Sequence, residues 1–408
     1  MFHATIKNKY IHMKKTYLII TLAFLVFRQS VCAQTENDTI VYLITCKPGT
    51  ELHSIYGHSA LRVVDRYSGT DMVYSWGVFD FNTPNFAWKF IGGRLNYMLD
   101  SEDMNNFLRI YFYEERGVIS QRINLNPEDV RKLLELIEEN LKPENINYRY
   151  DFFYDNCATR IRDILEKAAD GKIHYPPEIE NINPQTFRKM IGEYQKSYQW
   201  LNFGINLALG LPSDKKASFR EKMFLPLELQ QCLSKTVIHT NGRIVPLLQN
   251  PERMLDYDMP VVKSTILLSP EVIIALIFIL MIIFVPLIRR NVYLNSFDIL
   301  IFFIFSILAG FMFYFNLLTV HQSTKMNLNI IWLNPFIILC LISLVTNKAG
   351  VIWFRLVFYT SVLFLLVSII LPQEFSRALV PMCLILAFRS SARSAFEWNP
   401  FTIDERKL

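Results

Sequence analysis

Apolar and polar positions follow two different patterns along the chain. Residues 35–265 have mixed polarity, whereas residues 268–391 are dominated by Leu, Ile, Phe and Val. The apolar part holds five stretches that are long enough, at ~1.5 Å per helical residue, to cross ~30 Å of hydrocarbon. These stretches lie near residues 268–288, 297–320, 328–346, 351–371 and 375–390. The pattern predicts a C-terminal α-helical transmembrane bundle of about five helices.

Strand and helix signals alternate in the part of mixed polarity. Strands are predicted at residues 40–46, 55–64, 72–76 and 118–123, and Ser68-Gly69 predicts a hairpin turn between the middle two. Two helices are predicted from their own start and stop signals, at residues 126–141 after the N-cap Asn126 and at residues 156–169 before Gly171. Strands mixed with helices predict an α+β domain.

The first residues have the pattern of an export signal. Lys14-Lys15 forms a basic region, residues 17–27 are apolar, and Ala33 ends a small-residue cleavage context. We expect cleavage after Ala33, with a retained anchor as the alternative. Both outcomes place Gln34 and the following domain outside the cytoplasm.

Basic residues fall on alternate connections between the apolar stretches. Arg289-Arg290, Lys348 and the pair Arg389 and Arg393 occupy three connections, which the positive-inside rule assigns to the cytoplasm. We therefore expect a multi-pass inner-membrane protein with its N-terminal domain in the periplasm. The predicted regions are a signal peptide (1–33), a periplasmic domain (34–245), a linker (246–267), a transmembrane domain (268–391) and a cytoplasmic tail (392–408).

Charge and cysteine content narrow the classes of partner and site. A net charge of +5 over 408 residues does not indicate a surface that binds nucleic acid, so the expected partner is the membrane. Three cysteines lie in the periplasmic part, and a disulfide between Cys46 and Cys232 stays open. The histidines and cysteines lack the spacing of zinc ligands, so we expect neither a metal nor a cofactor.

Cys157 and His58 form a candidate nucleophile and base. Cys157 opens a predicted helix, where unpaired N–H groups and a neighbouring imidazole would lower the pKa of its thiol. Strand alternation puts His58 on the face away from Leu61, so we expect it at a surface or cleft. The backbone N–H of Cys157 could then hold an oxyanion. The competing interpretation is a buried cysteine and a structural histidine.

Further polar residues are candidates for supporting roles. Glu51, Tyr56 and Asn156 are alternatives for a third residue that orients His58. Arg62, Arg160, Arg162 and His321 are candidates for lipid or substrate binding, the last from an outer loop that could close over the site. A structural or solvated role is the alternative for each.

Residues 74–113 are rich in aromatic rings. Most of these rings are expected in the core, and some along an acyl groove or at the lipid interface.

Several segments resemble a known family. They are residues 57–63, 76–81, 156–163, 210–214 and 224–226. They are similar to the permuted papain-like (NlpC/P60-type) group, and more closely to the Lnb N-terminal domain family; the C-terminal helices also resemble that family. The resemblance implies transfer of an acyl chain from a phospholipid donor to the N-terminal amine of a diacylated lipoprotein. It carries over Cys157 as nucleophile and His58 as base.

Two other functions remain open at this stage. The same Cys157–His58 pair could serve a hydrolase, either a cell-wall amidase or endopeptidase or a phospholipase. The chain could also be a non-catalytic envelope binding protein. Fold-level likeness does not decide between transfer and hydrolysis.

Overall fold

The computed structural model describes residues 39–177, 184–260, 262–288, 290–348 and 350–394. The predicted signal peptide and the end of the predicted cytoplasmic tail lie outside these residues. Within them the chain forms an α+β part built on an antiparallel sheet, followed by a helical part.

A seven-stranded antiparallel sheet is the centre of the first part. Its strand order is β10-β5-β1-β2-β3-β4-β6. The strands are β1 (Thr39–Cys46), β2 (His58–Asp65), β3 (Thr70–Val78), β4 (Asn96–Asp103), β5 (Val118–Arg122), β6 (Asn147–Arg149) and β10 (Glu252–Leu255). A second sheet holds β7 (Ile173–His174), β8 (Val237–Thr240) and β9 (Arg243–Pro246). The four strands expected from the sequence are confirmed, including the hairpin of β2 and β3.

Helices cover both faces of this sheet. They are α1 (Phe86–Ile91), α2 (Met104–Tyr113), α3 (Pro127–Leu141), α4 (Cys157–Ala169), α5 (Phe187–Gln195), α6 (Gln199–Ala208) and α7 (Pro226–Ser234). On one face, α3, α4 and α7 form a core with Leu61, Trp76 and their neighbours. On the other face, α2 packs over Ala60 and Val73. The central strands are therefore buried on both sides.

This two-sided packing corrects two expectations. The face of β2 that carries Ala60 is not a free surface, because α2 covers it and Ala60 is buried. Cys46 belongs to the core under α2, whereas Cys232 belongs to the core on the opposite face. Both are free thiols, so the Cys46–Cys232 disulfide is absent.

The predicted linker contains part of the sheet. Glu252–Leu255 forms β10, which pairs with β5 at the sheet edge. Sequence hydropathy does not reveal this strand, because an exposed edge strand of four residues lacks a clear apolar alternation. The α+β part thus extends beyond residue 245.

Five helices form the second part. They are α8 (Pro270–Phe284), α9 (Asn291–Phe313), α10 (Phe336–Thr346), α11 (Val351–Val367) and α12 (Leu379–Arg393). Three continuous helical stretches are long and apolar enough to cross a membrane: Pro270–Leu287, Asn291–Leu318 and Leu328–Thr346. Val351–Val367 is a shorter apolar helix. The number of helices predicted from the sequence is confirmed within the described residues.

Two basic residues assigned to a connection instead lie inside α12. Arg389 and Arg393 are buried and both bind Asp298 of α9, with Nε–Oδ distances of 2.6 and 2.7 Å. The helix continues three residues past the predicted end because this carboxylate neutralises charge within the bundle. Arg389 and Arg393 are therefore bundle residues and do not count as loop charges.

Buried amides join the two parts. Asn327, in the connection between α9 and α10, donates through Nδ2 to the carbonyl oxygens of Leu207 (2.8 Å) and Ala208 (3.1 Å) at the end of α6. Asn329 donates to the same Leu207 oxygen at 3.2 Å. Because α6 ends there, these bonds satisfy carbonyls that have no partner inside the helix.

Candidate active site

The start of α4 is held by a complete capping arrangement around Asn156. Its side-chain oxygen accepts hydrogen bonds from the N–H groups of Ala158 (2.9 Å) and Thr159 (3.0 Å). Its side-chain nitrogen donates to the carbonyls of Phe152 (2.7 Å) and Phe224 (2.8 Å). Asn156 is thus fully occupied as a helix cap, and it places Cys157 at the first helical position.

Cys157 lies half-buried where α4 meets the start of β2. Burial raises the pKa of the Cys157 thiol, and the nearby backbone N–H groups of Ser59, Ala158 and Cys157 itself offset only part of this rise. The expected lowering of this pKa is therefore wrong in its net direction. Cys157 is a thiol at neutral pH, surrounded by the N–H groups that would stabilise charge when it develops.

His58 is the first residue of β2 and pairs with Cys46 on β1. The helix that begins at Cys157 contacts β2, so the two candidate residues belong to adjoining elements. Burial and the nearby Arg116 guanidinium lower the pKa of His58 to about 4. The imidazole is therefore neutral at neutral pH and free to accept a proton.

Ser75 is the side-chain hydrogen-bond partner of His58 among the described residues. His58 Nε2 lies 3.4 Å from Ser75 Oγ, and Ser75 is buried on β3. Sequence analysis missed Ser75. The sequence feature that points to Ser75 is its position on β3. It is a small polar residue between Tyr74 and Trp76, whose side chains both pack in the core on the opposite face of the sheet.

Gly77 shapes the floor of the site. It has a φ of +90° and lies at a β-bulge between Trp76 and Val78. A Cβ atom placed on Gly77 would lie 3.7 Å from both Cys157 Cβ and Tyr150 Cε2. Glycine meets the backbone requirement of the bulge, where the chain passes close to Cys157 and Tyr150.

Arg116 is a second residue that sequence reasoning did not identify. Its Nε donates to the Lys47 carbonyl (3.0 Å), its Nη1 donates to Glu114 Oε2 (2.7 Å), and its guanidinium lies 4.7 Å from the Tyr111 ring centroid. Arg116 is buried, and its charge disfavours protonation of His58. It helps to keep the imidazole neutral.

The three candidates for an orienting residue have other roles or positions in the structure. Glu51 is exposed in the turn before β2. Tyr56 accepts a hydrogen bond from Gln195 Nε2, and burial raises the pKa of its phenol to about 12. Asn156 caps α4. Ser75, rather than any of these, is in hydrogen-bond reach of the His58 ring.

The three candidate arginines are each paired with a carboxylate. Arg62 forms a two-bond pair with Asp71 (2.7 and 2.6 Å), and Arg162 binds Asp163 (2.7 Å). Arg160 binds Asp155 and stacks over Tyr148, with 3.9 Å from its Cζ to the ring centroid. These pairs favour structural roles over binding of a lipid phosphate.

His321 lies at the junction of the two parts. Its Nε2 is 3.3 Å from the carbonyl oxygen of Phe90 in α1, and the N–H of Val320 donates to the Gly92 carbonyl at 3.1 Å. A Cβ atom on Gly93 would come within 3.0 Å of the His321 ring. The outer loop thus packs closely against the end of α1.

Aromatic side chains continue from the site to α1. Tyr150 stacks on Tyr97 with centroids 4.4 Å apart, and Tyr97 contacts Phe79 at 5.2 Å. Phe79 contacts Phe86 at 5.7 Å, and Phe86 stacks on Phe90 at 6.0 Å. We call these five residues the aromatic wall. Phe79, Phe86 and Tyr150 are half-buried and Phe90 is exposed, so much of the wall borders open space.

Within the described residues, no group of three or more His, Cys, Asp or Glu side chains could hold a metal ion. The chemistry available at the site is therefore that of its thiol, its imidazole and the backbone N–H groups around the sulfur.

Comparison with known families matches both parts of the chain. Residues 28–192 match the model described as the Lnb N-terminal periplasmic domain, and residues 262–398 match the model described as the Lnb transmembrane domain. No curated protein and no solved structure matches the chain significantly. The order of an α+β domain and an apolar helical bundle agrees with both matches. The chain therefore belongs to the Lnb family, as a lipoprotein-modifying enzyme of the inner membrane with its N-terminal domain in the periplasm.

Proposed function

We propose that the protein is a thiol-dependent lipoprotein N-acyltransferase. It moves a fatty acyl chain from a phospholipid, through a thioester on Cys157, to the N-terminal amine of a diacylglyceryl-cysteine lipoprotein. The observation that carries this proposal is the placement of Cys157 at the capped start of α4, next to the strand that begins at His58. This site belongs to a domain that is joined to membrane helices, where both lipid substrates are found.

In the first half-reaction, the Cys157 sulfur attacks the carbonyl carbon of a phospholipid ester while His58 takes the thiol proton. A C–S bond forms, and the negative charge on the carbonyl oxygen is held by backbone N–H groups at the start of α4. The C–O bond to the glycerol then breaks. His58 returns its proton to the departing oxygen, which leaves a lysophospholipid and a thioester.

In the second half-reaction, the neutral amine of the lipoprotein attacks the thioester carbonyl. His58 accepts a proton from the amine as the C–N bond forms, and the C–S bond breaks. The proton then returns to the Cys157 sulfur. The products are an amide and the original thiol, so the cycle needs no oxidant, reductant or metal.

The electrostatic state of the pair supports this order of proton transfer. With a neutral thiol and a neutral imidazole, the thiol must lose its proton during attack, which is general-base catalysis. An apolar aromatic environment also limits the water that would compete with the amine for the thioester. This limited access of water favours transfer over hydrolysis.

The test is the intact mass of the detergent-purified protein after incubation with a defined phospholipid. We expect an acyl adduct that hydroxylamine removes, present on wild type and absent from Cys157→Ala. Cys232→Ala is the matched control, because Cys232 is a buried cysteine in the core of the same domain. His58→Ala should slow adduct formation by at least about 100-fold, the usual range for loss of a general base.

Addition of a diacylated lipopeptide then separates transfer from the alternatives. Movement of the acyl group to the peptide amine supports the acyltransferase. Release of free fatty acid, with no dependence on the peptide, indicates a phospholipase. Folded protein that forms neither adduct nor lysophospholipid contradicts the proposal and points to cell-wall peptides or a binding role.

A further inference from the structure

An apolar groove lies between the two parts of the molecule, beside the aromatic wall. It encloses about 290 Å³ and is bounded by α1 on one side and by the outer half of α9 on the other. Its lining residues are Trp88, Ile91, Ile307, Gly310, Phe311 and Tyr314. The lining contains no charged side chain.

The open side of the groove lies beside a helix that is expected to be surrounded by membrane lipid. Ile307, Gly310 and Phe311 belong to the stretch Asn291–Leu318, which is long and apolar enough to cross a membrane. Ile307 and Phe311 are exposed, as lipid-facing side chains of such a helix would be. Trp88 on α1 is 69% exposed, an arrangement that is costly in water and favourable at a membrane interface.

The groove is continuous with the contact between the two parts. A Cβ atom on Gly92, at the end of α1, would lie 3.1 Å from the Tyr314 hydroxyl. The same turn of chain binds the loop after α9 through Gly92 and Val320. The contact between the two parts therefore fixes the positions of the residues at the rim of the groove.

The groove and the aromatic wall meet at α1. Trp88 and Ile91 line the groove, whereas Phe86 and Phe90 of the same helix belong to the wall. At its other end the wall reaches Tyr150, which lies beside Gly77 and the Cys157 Cβ. A series of contacting apolar and aromatic side chains thus leads from the groove beside α9 to the neighbourhood of Cys157.

We propose that the groove between α1 and α9 binds a fatty acyl chain of the donor phospholipid, and that the aromatic wall guides this chain to Cys157. The proposal rests on the proposed function for the identity of the chain as an acyl donor. The occupant is a hydrocarbon chain because the lining is apolar and uncharged, and because the open side of the groove faces the bilayer.

Gly310 offers a direct way to fill the groove. A Cβ atom at this position meets no other atom within 4 Å, so a larger side chain enters open space without displacing the fold. Gly310→Phe is therefore the test variant. Gly204→Phe is the matched control, because Gly204 on α6 is also exposed, helical and free of neighbours within 4 Å.

The readout is the rate of thioester formation on Cys157 with two probes. With a long-chain phosphatidylethanolamine in detergent micelles, Gly310→Phe should react about tenfold more slowly than wild type, a typical effect of excluding part of an apolar ligand. With dihexanoyl phosphatidylcholine, whose chains end within the wall, the two should react at similar rates. Equal rates with the long-chain probe would overturn the proposal.

A second measurement does not depend on turnover. Cys157→Ala protein is mixed with phosphatidylethanolamine that carries a diazirine at the end of one acyl chain, and is then irradiated. Cross-links should concentrate on residues 307–314 and on α1, and Gly310→Phe should remove them. Cross-links spread evenly over the lipid-facing sides of α8 and α11 would contradict binding of the acyl chain in the groove. Absence of a thioester on wild type would instead count against the proposed function.

Discussion

Burial and local charge set the protonation states of Cys157 and His58, the two candidate catalytic side chains. Burial raises the pKa of the Cys157 thiol despite the nearby backbone N–H groups that lower it, and burial together with Arg116 lowers the pKa of His58 to about 4. A thiolate–imidazolium pair at rest is therefore disfavoured. Ser75 provides the hydrogen-bond partner that orients the imidazole.

The first prediction concerns pH. Because only the neutral imidazole can accept the thiol proton, the rate of Cys157 acylation should fall by half near pH 4 and stay level from about pH 5.5 to 8. Rates with a small soluble ester, measured by intact mass, would check this. A midpoint near 6.5, the ordinary pKa of histidine, would contradict the burial of His58.

The same pKa has a consequence for stability. The unfolded chain protonates His58 near 6.5, but the folded protein resists protonation down to about 4. The free energy of unfolding should therefore decrease as the pH falls from 6.5 to 4, and part of that decrease should vanish in His58→Gln. Denaturant unfolding at several pH values measures this difference, and identical pH slopes for both proteins would refute it.

The second prediction tests Ser75 as a positioning residue. Ser75→Ala should reduce the rate of acylation by about fivefold, since one hydrogen bond of about 1 kcal/mol orients the imidazole. The pH midpoint near 4 should move little, because burial and Arg116 remain. Ser120→Ala is the control, as Ser120 is buried in the same sheet and its hydroxyl has no hydrogen-bond partner among the described residues. A similar loss in both variants would indicate a general effect on the sheet.

At the scale of single elements, a helix cap and a β-bulge position the candidate site, and one buried carboxylate joins two helices of the bundle. The Asn156 cap defines the start of α4, and the bulge at Gly77 opens space in front of it. In the helical part, Asp298 of α9 holds two arginines of α12. These contacts join helices that are distant in sequence.

The third prediction concerns this buried triad. Asp298→Asn leaves Arg389 and Arg393 without their carboxylate, and loss of one partner of a buried ion pair costs about 3–5 kcal/mol. The thermal midpoint in detergent should therefore decrease markedly. Asp258→Asn, which changes an exposed carboxylate, is the control. A midpoint equal to wild type would show that the triad contributes little to stability.

At the scale of the whole molecule, the α+β part is held to the bundle by amide hydrogen bonds. Besides Asn327 and Asn329, Gln373 donates through Nε2 to the Leu209 carbonyl at 3.5 Å, and the N–H of Gly210 donates to the Ser323 carbonyl at 2.8 Å. These contacts fix the position of the α+β part against the helical part. The orientation of the two parts therefore matters for lipid substrates more than for soluble ones.

The fourth prediction follows from this docking. Asn327→Ala removes the hydrogen bonds to the Leu207 and Ala208 carbonyls. Acylation of Cys157 by phospholipid in bilayers should therefore slow by about tenfold, which corresponds to about 1.4 kcal/mol. Acylation by a small soluble ester should not change. Asn96→Ala, an exposed position on β4, is the control. Equal losses with both substrates would show that the mutation damages the site itself.

Much of the architecture follows from local signals that act over a few residues. Apolar alternation identifies β1, β2 and β3, and Ser68-Gly69 marks their turn. Asn126 followed by Pro127 marks α3, where the Asn126 side chain accepts from the Asp129 N–H. Long apolar stretches identify the membrane helices, because a helix that crosses hydrocarbon needs that length whatever its neighbours are.

The sequence by itself determined the division into two parts, the main strands and helices, and Cys157 with His58 as candidates, since each depends on nearby residues. The tertiary structure decided the partner of His58, the direction of both pKa shifts, the burial of Arg389 with Asp298, and the groove beside α1. Ser75 and Arg116 reach His58 through the pairing of separate strands, and α9 reaches α1 through the docking of two parts. Burial and contact between distant segments arise only when the chain is folded, so no local pattern records them.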